Sequence, residues 1–218
     1  MNEKAESIEK ALIAAIPYIG GSISSLLGDY QDRKKHERLT NFFTSLQVDI
    51  NDLKDQVNSK FISTDDFLDI FEKTSRKIAD ERNEEIRIAF KNILLNSIIS
   101  DNITYDKVEV FLKTLERLRP DHIFLLSILN NPIKFDIDRG KPVGDGGGIS
   151  TTLRSIMKKL LPDWEESAII EIVSDLENER LVKDFVHNFG TMMTDSGIHH
   201  MTGKLTEKGS EFCNFISH

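Results

Sequence analysis

The chain has 218 residues, of which 39% are hydrophobic and 29% charged, and its formal net charge is −8. That balance is too apolar for a disordered chain, and the acidic excess argues against a broad basic surface for nucleic acid. A single cysteine, Cys213, excludes an internal disulfide and points to a reducing compartment. The first residues, MNEKAESIEK, carry mixed charge and do not read as a secretory leader, so the expected location is cytoplasmic.

The first feature in chain order is Ala11–Gly28, eighteen residues without a charge, followed by the cluster QDRKKHER at Gln31–Arg38. A membrane-spanning helix needs about 20 apolar residues, and this run is interrupted by Pro17, Gly20, Gly21 and three serines. It reads as a short amphipathic helix ending near Ile16, a turn at Pro-Tyr-Ile-Gly-Gly, and the start of a long arm. Ile23, Leu26, Leu27 and Tyr30 would give that arm a buried face. The competing expectation is contact with a membrane or a partner, through Ile23, Leu26 and Leu27 together with Arg33, Lys34, Lys35 and Arg38.

From Leu39 to Val57 the apolar residues Leu39, Phe43, Leu46, Ile50, Leu53 and Val57 alternate spacings of four and three, the seam of a long helix with one buried edge. After Asn58-Ser59-Lys60, Ser63 or Thr64 caps a second helix whose first turn holds Asp65 and Asp66. Its face of Phe67, Phe71 and Ile78 fades into ADERNEE (Ala79–Glu85) and resumes at Ile86, Phe90, Ile93 and Leu94. The two arms form an antiparallel hairpin. A turn near Lys60 would set Gln31–Arg38 against residues 83–90, so a basic and an acidic interruption of the seam face each other. Exposed ion pairs of this kind contribute about 0–1 kcal/mol each and set register more than stability. A third helix, Tyr105–Leu118, carries Val108, Phe111, Leu112 and Leu115 on one side.

Pro120 opens the second half at the first turn of a helix, followed by the apolar run Ile123–Leu129. Residues 131–150, NPIKFDIDRGKPVGDGGGIS, read as a flexible Gly-rich loop. Helical patterns cover Thr151–Leu161 and Trp164–Glu179. A strand at Leu181–Val186 and another at His199–Leu205 would form a small two-stranded wing, and a short helix capped by Thr206 closes the chain. This order is that of a winged helix. Its usual recognition helix would hold Ala168, Ile169, Ile172, Val173 and Leu176 inside and Glu165, Glu166, Glu171, Asp175, Glu177 and Glu179 outside. Such a face repels phosphate. Residues 120–218 contain ten Lys and Arg against fifteen Asp and Glu, and Arg154, Lys158 and Lys159 are the one basic spot available for nucleic acid.

Candidate chemistry fails on spacing. Gly140-Lys141 is followed by Pro142, not the Ser or Thr of a phosphate loop. Asp136 and Asp138 begin like a calcium loop, but the twelfth position is Gly147, not a glutamate. His187, His199 and His200, with Asp184 or Asp195, lack metal-ligand spacing and read as wing residues. Cys213, beside Phe212, Phe215 and Ile216, reads as packing. The expectation is a non-enzymatic chain with no cofactor, no metal and no catalytic residue.

The segments IPYIGGSISSLLGDYQDRKKHERL, STDDFLDIFEKTSRKIADERNEEIRIAFKNILLNSI, FLKTLERLRPDHIFLLSIL and LTEKGSEFCNFI resemble a group of bacterial helical proteins with a winged-helix-like C-terminal part. The middle portion also resembles the abortive-infection alpha proteins of phage defence, in which a helical region leads into a similar leucine, proline and histidine pattern. These resemblances imply a defence or stress role and supply no catalytic residue. The expected architecture is mainly α: a helical hairpin or bundle at 1–119 and a winged-helix-like domain at 120–218. The expected function is regulation through protein–protein contacts, with self-association as a corollary. The alternatives are a winged-helix DNA-binding regulator and an effector that associates with membrane through residues 11–38.

Overall fold

The computed structural model describes residues 19–30, 32–101, 103–140, 152–192, 198, 201 and 203–217. Among them the chain is mainly α-helical, with eleven α-helices. It divides into two compact units: 1–117 with 215–218, and 118–214.

The first unit contains α1 (Gly20–Asp29), α2 (Arg33–Asp52), α3 (Asp65–Asp80), α4 (Glu84–Ile99) and α5 (Tyr105–Leu115). Four of these helices start on a side-chain cap. Asp32 accepts from the backbone of Lys34 and Lys35, Thr64 from Phe67, Asn83 from Ile86 and Thr104 from Lys107. Each cap satisfies donors that the first helical turn leaves unpaired. The burial pattern makes α4 central. Ile86, Ala89, Phe90, Ile93, Leu94, Leu95 and Ile98 are all buried, a spread of positions too wide for one stripe. Phe43 of α2 stacks on Phe71 of α3 at 5.8 Å between ring centroids. The residues Phe215–Ser217 close the unit: Asn92 donates to the Ile216 carbonyl at 2.8 Å, and Asn96 to those of Phe215 and Ser217 at 3.0 and 3.1 Å.

Two corrections concern the expected hairpin. Neither arm is one helix: the first breaks before Asp32 and the second at Glu81–Asn83. Asp32 and Asn83 cap new helices where periodicity suggested solvated positions within continuous ones. The register also differs, because α2 stops at Asp52 and Lys54–Gln56 form a 3-10 turn. Asn58 is then tied to α4 through the Ile98 and Ser100 carbonyls. The basic cluster consequently meets residues 79–80, not 83–90.

The second unit contains α6 (Pro120–Asn130), α7 (Pro132–Asp138), α8 (Leu153–Leu160), α9 (Glu166–Asn178), α10 (Phe185–Asn188) and most of α11 (Glu207–Ile216). Its core is built on Leu125, Leu126, Leu153, Met157, Val173, Leu176, Leu181, Phe185 and Phe212, all fully buried. The beginning of the expected loop 131–150 is helical instead. Asn131 accepts from the Lys134 backbone and Pro132 sits at the first helical position, so two supposed breakers start α7. Residues 141–150 lie outside the described residues.

The expected two-stranded wing is also corrected. The described residues contain a single antiparallel bridge between Val182 and Leu205 and no strand. The Glu177 carboxylate accepts from the backbone of Phe185 at 2.7 Å and Val186 at 3.2 Å, which turns the end of the supposed strand into α10. Asp184, just before it, has φ 51°, a left-handed conformation that ends extended pairing. Arg180, at φ 59°, closes α9, with the Leu181 N–H donating to the Leu176 carbonyl and the Arg180 N–H to Glu177, a Schellman turn.

The start of α11 is pinned against this turn. Thr206 donates through its backbone to the Leu181 carbonyl at 2.9 Å, and its hydroxyl accepts from Gly209 at 2.9 Å. A β-carbon at position 209 would overlap the Leu181 backbone carbonyl, whereas one at Gly28 meets nothing within 4 Å. Gly209→Ala is therefore expected to lower the unfolding free energy by about 1–3 kcal/mol. Gly28→Ala, on an exposed turn of α1, should raise it by about 0.5–1 kcal/mol. Urea denaturation of both variants checks the contrast.

Candidate functional site

The break between α1 and α2 lies against the break between α3 and α4. Lys35 Nζ pairs with Asp80 Oδ1 at 2.6 Å and sits 5.5 Å from the centre of the Tyr30 ring. The Asp80 bond raises the Lys35 pKa, and backbone N–H groups of Lys34 and Lys35 lower that of Asp32. Arg38 donates to the Ala79 carbonyl at 2.8 Å and the Asp80 carbonyl at 3.4 Å, where the end of α3 presents unpaired acceptors and partial negative charge. Arg87 does the same for the α3–α4 connection, donating to the carbonyls of Arg82 at 2.7 Å and Glu81 at 3.3 Å.

Two clefts open from this junction. One, of about 340 Å³, runs between α2 and α4 and is lined by Arg38, Asn41, Phe42, Ser45, Ile78, Glu84, Arg87, Ile88 and Lys91. The other, of about 750 Å³, is lined by Asp32, Lys34, Lys35, Arg38, Asp80 and Arg82. Phe42 and Ile78 form an almost fully buried apolar floor in the first, and Ile88 at its edge is 48% exposed. Lys91 is neutralised by Asp49 at 2.5 Å and bonded to Ser45 at 2.9 Å, both partners on α2. Arg38 and Arg87 differ from it: among the described residues their guanidiniums rest on backbone carbonyls and pair with no carboxylate. The junction thus brings cations and carboxylates together, with Lys35 paired to Asp80 and Asp32 and Glu84 also on the cleft walls.

No family model, curated protein or solved structure matches this chain.

Of the residues singled out in the sequence, Ile23 and Leu26 are buried in the first unit and Leu27 is half-buried. Arg33 and Lys34 are exposed, and Lys35 and Arg38 are partly exposed at the junction. No helix among the described residues is long and apolar enough to cross a membrane. Arg154 pairs with Glu166 at 3.0 Å and lies over the Phe189 ring. Lys158 and Lys159 are exposed at the end of α8. Arg87, Ile88 and Lys91 escaped the sequence reading, although their spacing puts the two cations one turn apart on α4 with Ile88 between them.

The acidic face of α9 is largely engaged within its own unit. Glu171 pairs with Arg119 at 3.1 Å, and Asp175 approaches buried His122 at 3.1 Å. His122 Nδ1 accepts from the Arg119 backbone at 3.0 Å, so Nε2 carries the proton and donates to Asp175. This accounts for RPDHIFLL structurally: the histidine caps α6 and ties it to α9. His187 is described; His199, His200 and Asp195 lie outside the described residues. No group of three metal-binding side chains occurs among those described.

A second polar cluster joins α3 to α5. Lys73 Nζ contacts Asp69 Oδ2 at 2.8 Å, Tyr105 Oη at 2.7 Å and Glu109 Oε1 at 3.0 Å. Tyr105 in turn donates to Asp69 at 2.6 Å. Bonds to Asp69, Tyr105 and Glu109 raise the Lys73 pKa, and the Asp69 bond raises that of Tyr105. Burial pushes the Asp69 carboxyl upward, but the bonds from Lys73 and Tyr105 outweigh it and hold it low. Lys113 and Lys73 lower that of Glu109. Carboxyls held low in the fold contribute stability above their unfolded pKa, near 4, and lose it as pH falls through the folded value. Lys73→Met should therefore flatten the acid limb of stability against pH below about pH 4. Urea midpoints across the acid range test this, and parallel curves for the two proteins would refute it.

Proposed function

We propose that this chain is a non-enzymatic interaction and regulatory protein, and that it docks a protein partner in the groove between α2 and α4. The observation that carries the reading is the cleft between α2 and α4, where half-exposed Ile88 lies beside two guanidiniums that are positioned by backbone carbonyls. Arginine is a common anchor of protein interfaces, and a fixed polar group beside an exposed apolar side chain is what a docked partner can use.

The state of the titratable groups supports a binding role. Lys73 and Tyr105 are held in their protonated forms, opposite to what a base or nucleophile requires. Burial pushes the Cys213 thiol up to about 12, far from a reactive thiolate. The resemblance to abortive-infection proteins supports a setting in phage defence or stress.

The test is site-specific photocrosslinking in bacterial cells with Ile88→p-benzoylphenylalanine. The side chain at this position is at the groove and half exposed, so it tolerates replacement. A discrete protein adduct is expected from position 88 and not from a control at exposed Asp101. Absence of an adduct at 88, or the same adducts from both positions, would overturn the reading.

A further inference from the structure

The second unit has an exposed patch of its own on α7. Ile133 is 37% exposed and Ile137 65%, and their spacing of four puts both on one edge of the helix. Each residue turns about 100° around a helix axis, so Lys134 and Asp138 form the next stripe and Phe135 lies beyond them. There the Phe135 ring meets that of Phe124 on α6 edge to face at 5.8 Å, and Phe124, itself 38% exposed, lies 5.8 Å from the Trp164 ring. The opposite side of α7, Pro132 and Asp136, is buried. The outward face of α7 is therefore one cation and one carboxylate between two apolar borders.

Grouped apolar side chains that protrude in this way mark an interaction surface, and the charges between them select its occupant. Lys134 and Asp138 are both exposed and form no ion pair among the described residues. A two-fold rotation about the middle of α7 lays a second α7 antiparallel on the first. Ile133 then faces the copy's Ile137, and Lys134 of each chain faces Asp138 of the other. One contact made twice satisfies both charges and covers the isoleucines, which is the isologous geometry of two-fold dimers. The two charges cancel, so the patch offers no net attraction to an acidic or a basic partner. An anionic bilayer is disfavoured, because it would repel the Asp138 carboxylate.

We infer that α7 is a self-association surface, on which a second copy of this chain docks antiparallel through Ile133, Ile137 and reciprocal Lys134–Asp138 pairs. This surface shares no residue with the α2–α4 cleft, so the two readings stand or fall separately. Seven residues of helix span only about 10 Å, which is small beside a standard interface. The dimer is accordingly weak and depends on concentration.

The experiment is sedimentation equilibrium of the full chain over a range of concentrations. Wild type should show a reversible monomer–dimer equilibrium. Ile137→Asp, at an exposed position whose replacement spares the core, should be monomeric over the same range. Lys134→Glu and Asp138→Lys should each weaken the dimer about tenfold, since each sets like charges against one another twice. Both charge changes suit the helix dipole, so α7 itself should persist, and circular dichroism melts confirm that each variant is folded. An equimolar mixture of Lys134→Glu and Asp138→Lys should recover the wild-type affinity, because one chain is then acidic at both positions and the other basic. Recovery in the mixture separates pairing between copies from pairing within one helix. Monomeric wild type, with or without cosedimentation on phosphatidylserine vesicles, overturns the inference. So does a dimer unchanged by all three substitutions, or a mixture no tighter than either variant alone. A dimer kept in the α7 variants and lost in Ile88→Asp places the contact at the α2–α4 cleft and also overturns it.

Discussion

The first unit depends on one constraint: α4 is buried around most of its circumference, so every side but the stripe Glu84, Arg87, Ile88 and Lys91 has to be covered. Burying one Leu, Ile or Phe side chain contributes about 1.5–3 kcal/mol, and α4 buries Ile86, Phe90, Ile93, Leu94, Leu95 and Ile98 within sixteen residues. Helices α2, α3 and α5 supply much of the cover. Its two asparagines draw in the chain's last residues, since a buried amide without a partner is costly. The helix breaks follow from the same demand. α3 packs against α4, which one continuous helix could not do, and the breaks fall where polar caps were available at Asp32 and Asn83.

Those breaks also account for the polar character of the junction. A broken helix exposes carbonyls at its end, and the end of α3 meets Arg38 while the connection to α4 meets Arg87. The cations therefore serve as helix caps and as the rim of a groove at once. Lys91, in contrast, is used up by Asp49. The distinction lies in the acceptor: a carboxylate cancels a cation's charge, whereas a carbonyl orients it and leaves most of the charge in place.

How far the sequence reveals this can be argued from particular residues. The seam Leu39, Phe43, Leu46 and Ile50 identified α2 because packing of that face decides its burial. The caps at Thr64 and Thr206 were legible because each is followed within three residues by the donor it satisfies. Asp32 and Asn83 were not, since a cap inside a charged run has the same composition as a solvated helical face. The meeting of opposite charges was foreseeable, but its register depended on the 3-10 turn after α2, which no periodicity encodes. In the second unit, Leu181–Val186 has the apolar content of a strand. Its fate was decided by Glu177, a carboxylate eight residues before Phe185 that reaches back to cap α10. Asn131 and Pro132 show the same ambiguity, being the residues that end one element and also those that begin another. The groove itself combines side chains from α2, α3 and α4, an arrangement available only once the helices are packed.

The bonds from Asn92 and Asn96 to Phe215–Ser217 carry a consequence for synthesis. More than a hundred residues separate donor from acceptor, and the second unit is translated in between. While the ribosome is still making that unit, α4 lacks its last cover and the amides at 92 and 96 lack their acceptors. The ring of Phe111, which packs 5.1 Å from that of Phe215, is also without that partner. The first unit begins to emerge before the second and is completed after it.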